Sequence, residues 1–577
     1  MIDKQPLVRK TFYSMLFPTM LTNLVTSIGS FSDTVIVGKL LGESALSSIT
    51  LAAPIFMIIN TFAAMLAVGG STIMSILTGK GEKASSQKIF SLSLNLAFGI
   101  GILILIIGLI WMDPLIYLLG GRTEQLELLM KSYAKIILSG SPIFMINICL
   151  SFFVRNDGRA NLVMSGMLSA IVLNIILDLS FISLCGMSVE GAAYAMIFSQ
   201  IISTLIIASH FLSKKNTLRY SRSFSLNGCA LIFKNGIGTA SIFVFQFIVM
   251  LLLNNFIMTI AGQIGITVYT VVFNLSLLAL SIFEGLSQTI QPMISIYSGE
   301  ENNSAIKYIM RLAFHWAIGL CLIITLYLEC FPKSVISFLG LSNPSVIWDS
   351  IVAIRIYSFG IFLMTMNVLM GYYYQSYGLP KITAVITILR SFIAPLAGSF
   401  IFSSFLGFYG VWIGLVFAEL ITLILWCGYV LWIQRKQNTI SLLLLDPEKN
   451  DQTVIFHLEG KTKQLYDIME TIESLMKSRE ISFKTQKKAL IAIEEVVNNI
   501  IKYSNNLKPR NIEILLKFSD HLTLIIRDDS QLFDPTCYDN ASCIKTNQFG
   551  LFLVKSTSHF FSYLPALGLN RIFLKYE

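Results

Sequence analysis

Charged residues are scarce in this sequence. Aspartate, glutamate, lysine and arginine make up 13% of the 577 residues, whereas hydrophobic residues make up 54%. A soluble protein of this length would consist of several domains, each of which needs a charged surface. The composition therefore excludes a soluble protein and indicates one that lies in a membrane.

The sequence also lacks an organised set of cysteines. The eight cysteines are scattered, and no pair has the spacing of a zinc site or of a disulfide framework. The basic start MIDKQPLVRK leads into a full-length apolar stretch without a small-residue cleavage site. We therefore expect no cleaved signal peptide.

Long apolar stretches dominate what is present, and twelve of them can span a bilayer. They lie near residues 12–37, 46–76, 90–111, 132–154, 161–184, 189–212, 235–260, 266–297, 310–330, 351–375, 382–406 and 409–433. Most basic residues of the short connections fall on the side of both termini, among them Lys10, Arg155 and Arg435. The positive-inside rule then predicts a multi-pass protein of the cell membrane with both termini in the cytoplasm.

Short motifs recur at a fixed distance along these spans. FFVRNDG (152–158) corresponds to YYYQSYG (372–378), and TGKGE (78–82) corresponds to SGEEN (298–302). The repetition predicts two parallel units of six spans, residues 1–220 and 221–440, with a substrate path between them.

The composition changes after residue 440. Short alternating stretches predict strands at 453–460, 511–518 and 521–528, and an apolar stripe predicts an amphipathic helix between the first two. Residues 441–577 thus form a cytosolic α+β domain. The whole chain is predicted to be an all-α polytopic membrane protein with twelve transmembrane helices in two six-helix pseudo-repeats, followed by this domain.

Acidic and amide side chains lie inside two of the spans of the first unit. Asp33 falls in the first span, and Asn174 and Asp178 share one face of the fifth because they are four residues apart. A carboxylate in hydrocarbon is costly unless it is paired, hydrated or protonated. These groups would bind Na⁺, carry a proton, or only fix helix packing.

The second unit has polar residues of its own. Glu284 and Glu419 are candidates to face a cationic substrate, and Arg390 is a candidate to pair with either of them. An internal ion pair or a surface position is the alternative for each of them.

The membrane part resembles the multidrug and toxic compound extrusion (MATE) family. The resemblance is carried by SDTVIVGKLLGESALSSI (32–49), NIILDLSFI (174–182) and GMSVEGAAYAM (186–196), and it covers about residues 10–435. It implies export of organic cations or other small toxic compounds in exchange for Na⁺ or H⁺, with the cation site on Asp33, Asn174 and Asp178. Met196 replaces a threonine common in that family, which favours protons because Met is a poor Na⁺ ligand.

The tail contains a polar helix face in EEVVNNIIKYS (494–504). Glu495 and Asn499 are one turn apart, so a carboxylate lies next to an amide oxygen that suits Mg²⁺. Asp528 ends a strand, where it would accept a hydrogen bond from an adenine amino group. Gly550 begins a helix, where backbone N–H groups would hold phosphate.

In this order and spacing, these residues resemble the anti-sigma-factor serine kinases of the GHKL, or histidine-kinase-like, ATPase superfamily. The resemblance implies a two-layer ATPase fold that holds ATP and Mg²⁺, with Mg²⁺ on Asn499, a catalytic base at Glu495, adenine on Asp528 and phosphate near Gly550. It implies an anti-sigma antagonist or a sigma-factor-like protein as partner; no nucleic-acid partner is expected. Two of that family's glycine positions differ here, at Ser530 and within Asn547-Gln548-Phe549.

Three functions remain open on the sequence. The first is a cation-coupled antiporter with a cytosolic nucleotide-binding or regulatory domain. The second is a membrane receptor whose tail is a serine kinase or sequesters a regulator. The third is a lipid-linked flippase, which would not need the cation residues of the first unit.

Overall fold

Apolar stretches of more than twenty residues fold into long helices because only a helix satisfies its own backbone hydrogen bonds inside a membrane. The computed structural model describes residues 5–119, 123–213, 216–222, 225–338, 344–437, 439, 441–447, 452–503, 511–519, 521–537 and 549–577. We call residues 5–437 the membrane domain and residues 452–577 the tail domain.

The first half of the membrane domain contains seven helices. They are α1 (Pro6–Leu41), α2 (Glu43–Gly79), α3 (Lys83–Ile110), α4 (Met112–Leu118), α5 (Glu124–Asn156), α6 (Ala160–Leu179) and α7 (Val189–Ala208). The second half contains α8 (Leu226–Gly299), α9 (Asn303–Cys330), α10 (Pro332–Phe338), α11 (Pro344–Ser358), α12 (Gly360–Ser376), α13 (Pro380–Ile388), α14 (Ala394–Leu406) and α15 (Phe408–Gln437). The long α8 bends at Gly262, whose positive φ of 61° suits a residue without a side chain.

The two halves have matching helix boundaries. α2 ends at Gly79 and α8 ends at Gly299, while α3 begins at Lys83 and α9 begins at Asn303. The same spacing of 220 residues separates the ends of α5 and α12, at Asn156 and Ser376. The halves therefore share one helical plan.

Ten helices within the described residues are long and apolar enough to cross a membrane, and the pair α11 and α12, bent by 46°, makes an eleventh. The predicted span near 12–37 lies on α1, where the side chains at 30, 31 and 33–35 fall outside the description. The polytopic helical architecture is confirmed, and the number twelve stays a prediction.

The tail domain has a five-stranded antiparallel sheet in the order β1-β2-β3-β5-β4. Its elements are β1 (Thr453–Leu458), α16 (Thr462–Ser478), α17 (Phe483–Tyr503), β2 (Ile512–Phe518), β3 (Leu522–Asp528), α18 (Phe549–Thr557), β4 (Phe560–Tyr563) and β5 (Asn570–Tyr576). The strands and helices predicted for this part are confirmed. One sheet face packs on the three helices through Ile514, Ile526 and Leu574, which contact Ile493 and Val497.

The other sheet face packs on the membrane domain. It meets the end of the membrane domain at which α2 and α8 terminate, which we call the tail face. Phe573 of β5 lies against Gly81, and Arg571 of the same strand contacts Glu300.

The two halves touch each other along α2 and α8, from the tail face inward to the level of the cavity. A Cβ atom built on Gly79 would lie 2.1 Å from the Ile296 carbonyl oxygen, and one built on Gly236 would lie 1.9 Å from that of Met65. Both distances are far below van der Waals contact, so only glycine allows α2 and α8 to approach this closely. The membrane domain is closed at this end.

Candidate functional site

A large cavity lies between the two halves. Its volume is about 1370 Å³, larger than the roughly 300–1,000 Å³ of ordinary ligand pockets. Its lining mixes aromatic and aliphatic side chains with amides and hydroxyls from α1, α2, α5, α6, α7, α8 and α12. Such a surface suits amphipathic molecules, because it offers apolar contacts and hydrogen-bonding groups together.

A buried hydrogen-bonded cluster of three residues forms part of the wall of this cavity. Arg155 donates from Nη1 to Oε1 of Gln288 over 2.7 Å, and Asn23 and Gln288 exchange hydrogen bonds of 3.2 Å. Arg155 belongs to the first half and Gln288 to the second, so the cluster joins them. The sequence analysis places Arg155 in a short connection, whereas it lies in the last turn of α5 and is 4% exposed. Its neighbours in FFVRNDG gave no signal that distinguishes a buried arginine from a loop arginine.

The candidate cation residues lie on two helices that pack tightly together. A Cβ atom on Gly29 of α1 would lie 2.9 Å from Ile171 of α6. Asp33 on α1 and Asn174 on α6 each lie one turn farther along their helix. Asn174 lines the cavity, and its Nδ2 is buried without a hydrogen-bond partner. Asp178 is fully buried in the next turn of α6, whereas the side chain of Asp33 lies outside the described residues.

The three polar residues of the second half are divided between two places. Glu284 lines the cavity, and it is the one carboxylate among the described residues that do so. Arg390 instead pairs with Glu419, with 3.0 Å between Nε and Oε1. Asn367 donates to Oε2 of Glu419 over 2.7 Å and accepts from Trp426. This ion pair is an internal link between α12, α15 and the turn after α13.

The tail domain brings together two of its four candidate residues. A Cβ atom on Gly550 would lie 1.8 Å from Oε2 of Glu495, so the carboxylate of α17 lies against the first turn of α18. Asn499 is half-buried one turn after Glu495 on α17. The glycine-poor stretch Asn547-Gln548 precedes this turn and lies outside the described residues.

Asp528 is buried on the helix-covered side of the sheet. Its Oδ1 accepts hydrogen bonds from the Ser530 backbone at 2.8 Å and from Asn570 at 2.9 Å. Burial raises the pKa of Asp528 above its usual value, although these hydrogen bonds oppose the rise. Asp528 is 1% exposed, so an adenine would have to displace Asn570 or Ser530 to reach it.

No group of three His, Cys, Asp or Glu side chains suited to a metal ion occurs in the part of the chain that the structure describes. A magnesium ion held by one amide and by nucleotide phosphates needs no such group. Glu495 lies beside the first turn of α18 and Asn499 one turn away, as the nucleotide site expected from the sequence requires. Phosphate and adenine would bind there only after the Glu495 carboxylate rotates away from that turn and Asp528 is uncovered.

Two similar helical bundles around a central cavity are the architecture of a secondary transporter, and the chain is a multi-pass membrane protein of this class. The MatE family model matches residues 18–180 and 237–401, together more than half of the chain. The chain therefore belongs to the MatE family.

Relatives and solved structures are also similar to this chain. The multidrug export protein MepA of Staphylococcus saprophyticus is 26% identical over 51% of this chain and 65% of its own length, and that of Staphylococcus haemolyticus is 29% identical over 50% and 64%. These alignments span just under two thirds of the relatives. An outward-facing multidrug resistance MATE transporter has a TM-score of 0.69 at 26% identity, covering 72% of this chain and 94% of its own. A MOP superfamily transporter from Pyrococcus furiosus has a TM-score of 0.68, covering 73% and 94%.

Proposed function

We propose that this protein is an antiporter that exports lipophilic cations and other small toxic compounds by alternating access, in exchange for H⁺ or Na⁺. The large mixed cavity between the halves carries the proposal. Glu284, the one carboxylate among the described residues of its wall, gives a cationic compound a charged partner. The similarity to multidrug export proteins supports the same substrate class.

The proposed orientation places the tail face in the cytoplasm. Basic residues such as Lys83, Lys88 and Arg311 are exposed near that face, which agrees with the positive-inside rule. Because the halves touch near the tail face, the conformation is one that is closed to the cytoplasm. The proposed units are residues 1–220, 221–440 and 441–577.

The proposed coupling site consists of Asp33, Asn174 and Asp178. Asn174 has a buried amide without a hydrogen-bond partner, and Asp178 is a buried acid one turn away. The proposal requires that the two conformations bind the proton or Na⁺ at this site with different affinities. That difference is what couples ion flow to export.

Transport by the full-length chain in proteoliposomes tests this function. We expect a pH or Na⁺ gradient to drive movement of ethidium, and Asp178→Asn to abolish the effect of the gradient. Glu284→Gln should weaken ethidium binding, because the cation loses its only carboxylate in the described cavity wall. Glu190→Gln, an exposed acid on α7, is the matched control and should leave both properties unchanged. Gradient-driven transport by Asp178→Asn at the wild-type rate would refute the coupling site.

We further propose that the tail domain binds ATP with Mg²⁺ and regulates the transporter. The observation that favours this is the contact of Glu495 with Gly550, next to Asn499 on the same helix face. ATP supplies the phosphates that complete the coordination of the magnesium ion. Asn499 would hold the metal, Asp528 the adenine, and the first turn of α18 the phosphates. A kinase reaction at Glu495 on an anti-sigma-type partner is a narrower hypothesis that rests on this binding.

Calorimetric titration of the full-length chain with ATP and Mg²⁺ tests the tail site. Asn499→Ala should reduce the affinity by about tenfold or more, since it removes the metal's protein ligand. Asn498→Ala is the control, because it makes the same change one residue away on another helix face. Equal affinities of the two variants would show that Asn499 has no part in binding.

A further inference from the structure

The sheet face that meets the membrane domain carries a row of charged side chains. Glu513, Arg527 and Arg571 are directly opposite one another on β2, β3 and β5. Side chains opposite one another on neighbouring strands share a face and lie close together. Glu513 Oε1 is 3.0 Å from Arg527 Nη1, and each of the three residues is at most 2% exposed. An isolated two-layer domain would leave this row in water, so its burial is a property of docking.

The fourth member of the charged row comes from the membrane domain. Glu300, in the turn between α8 and α9, pairs with Arg527 at 2.6 Å through Oε2 and with Arg571 through Oε1. Arg527 also lies over the ring of Tyr297, 4.9 Å from its centre. Two arginines and two glutamates balance in charge. A buried set of this kind is stable only while every member is present.

Contacts with the first half lie directly beside this cluster. Phe573 is two residues from Arg571 on β5, on the same face and about 7 Å away. A Cβ atom on Gly81 would lie 3.2 Å from its ring. In the turn before β5, the backbone nitrogen of Gly568 would lie 2.3 Å from a Cβ atom on Gly158. One strand thus holds the second half through Arg571 and the first half through Phe573.

We propose that the tail domain is a conformational clamp that stabilises the state closed at the tail face. A hydrogen-bonded strand cannot lengthen, so β5 holds Gly81 and Glu300 at a fixed separation. Moving the halves apart at this face requires that the sheet release one of them. The inference rests on the proposed alternating access, and it adds that the docked tail domain opposes opening on the side where it binds.

The charge balance supplies a specific test. Glu300→Gln leaves an excess positive charge in the buried row, and Arg571→Gln leaves an excess negative charge. The double variant Glu300→Gln/Arg571→Gln restores neutrality. Each single variant should therefore release the clamp, whereas the double variant should hold it better than either single variant does. Loss of folding would not produce this pattern.

Distances between spin labels measure both the docking of the tail domain and the separation of the halves. The measurement uses the full-length chain in nanodiscs, with its native cysteines replaced. Labels at Lys88→Cys and Arg311→Cys, both exposed, report the separation of the halves at the tail face. Labels at Lys461→Cys and Arg311→Cys report docking of the tail domain. Neither distance depends on transport of any compound, so a failure of the clamp is distinguishable from a failure of the proposed export.

In each single variant we expect the ratio of long to short distances across the tail face to rise by about tenfold or more. The double variant should return towards the parent. Three results would overturn the inference. The first is that the tail domain undocks while the halves stay together. The second is that the single variants stay docked and closed. The third is that the double variant opens as far as the single variants.

Discussion

The close approach of α2 and α8 depends on glycine where the two helices cross, so Gly236→Ala is expected to disfavour the closed state. Gly236 lies on α8, and its built Cβ atom is 1.9 Å from the carbonyl oxygen of Met65 on α2. The contact is reciprocal, because a Cβ atom on Gly69 would lie 2.3 Å from the carbonyl oxygen of Ile232. Both obstacles are backbone atoms, which no change of side-chain rotamer moves away.

The size of the effect follows from the distance. A carbon and a carbonyl oxygen in contact are about 3.3 Å apart or more, so the helices must separate by roughly 1.4 Å at this point. Overpacking a well-packed contact destabilises it by about 1–3 kcal/mol, and a backbone obstacle favours the upper half of that range. A change of about 2–3 kcal/mol shifts the equilibrium between closed and open states by roughly 30- to 150-fold.

Spin labels at Lys88→Cys and Arg311→Cys measure this shift as growth of the long-distance population. Two glycines give matched controls, Gly99 on α3 and Gly319 on α9, because no atom lies within 4 Å of a Cβ atom built on either. Alanine at these positions should leave the distances unchanged and slightly favour the helix. If Gly236→Ala gave the same distances as Gly99→Ala, the α2–α8 contact would not be what holds the closed state.

Three further outcomes are expected. Gly550→Ala should destabilise the α17–α18 contact by only about 1 kcal/mol, since the Glu495 carboxylate can rotate away. Hydrogen exchange in α18 measures this loss of stability, and adding Glu495→Ala should remove it. Arg390→Met leaves the Glu419 carboxylate without its cation and should lower the free energy of unfolding by about 3–5 kcal/mol, seen as a lower melting temperature. The double variant Arg390→Met/Glu419→Gln should recover part of this stability. Equal melting temperatures of the two variants would contradict the reasoning. Glu301→Gln removes a partly exposed pair with Lys517 and should change tail docking by less than about 1 kcal/mol; a shift as large as that of Glu300→Gln would contradict the distinction between exposed and buried pairs.

The helices and strands could be predicted from the sequence because their signals are local. Hydropathy marks each long helix, and alternation marks strands such as Leu522–Asp528. The motifs TGKGE and SGEEN fall where α2 and α8 end. These features depend on a few neighbouring residues, so no knowledge of tertiary contacts is needed to find them.

The buried charged residues could not be predicted in the same way. Arg155 and Glu300 lie near helix ends, where most charged residues are in water, and the sequence around each is typical of such ends. Their burial follows from contacts with Gln288 and with Arg527, which are 133 and 227 residues away. The pairing of Arg390 with Glu419 rather than Glu284 likewise depends on how α15 packs beside α13.

The clamp and the candidate nucleotide site use the same two strands. Successive residues of a strand point to opposite faces, so Asp528 faces the helices while Arg527 faces the membrane domain. On β5, Asn570 and Arg571 are related in the same way, and Asn570 donates to Asp528. A ligand that displaces Asn570 from Asp528 therefore moves the residues next to both arginines that hold Glu300. Because a buried ion cluster tolerates little change in geometry, we propose that a nucleotide bound at the candidate site would act on the proposed clamp through these two strands.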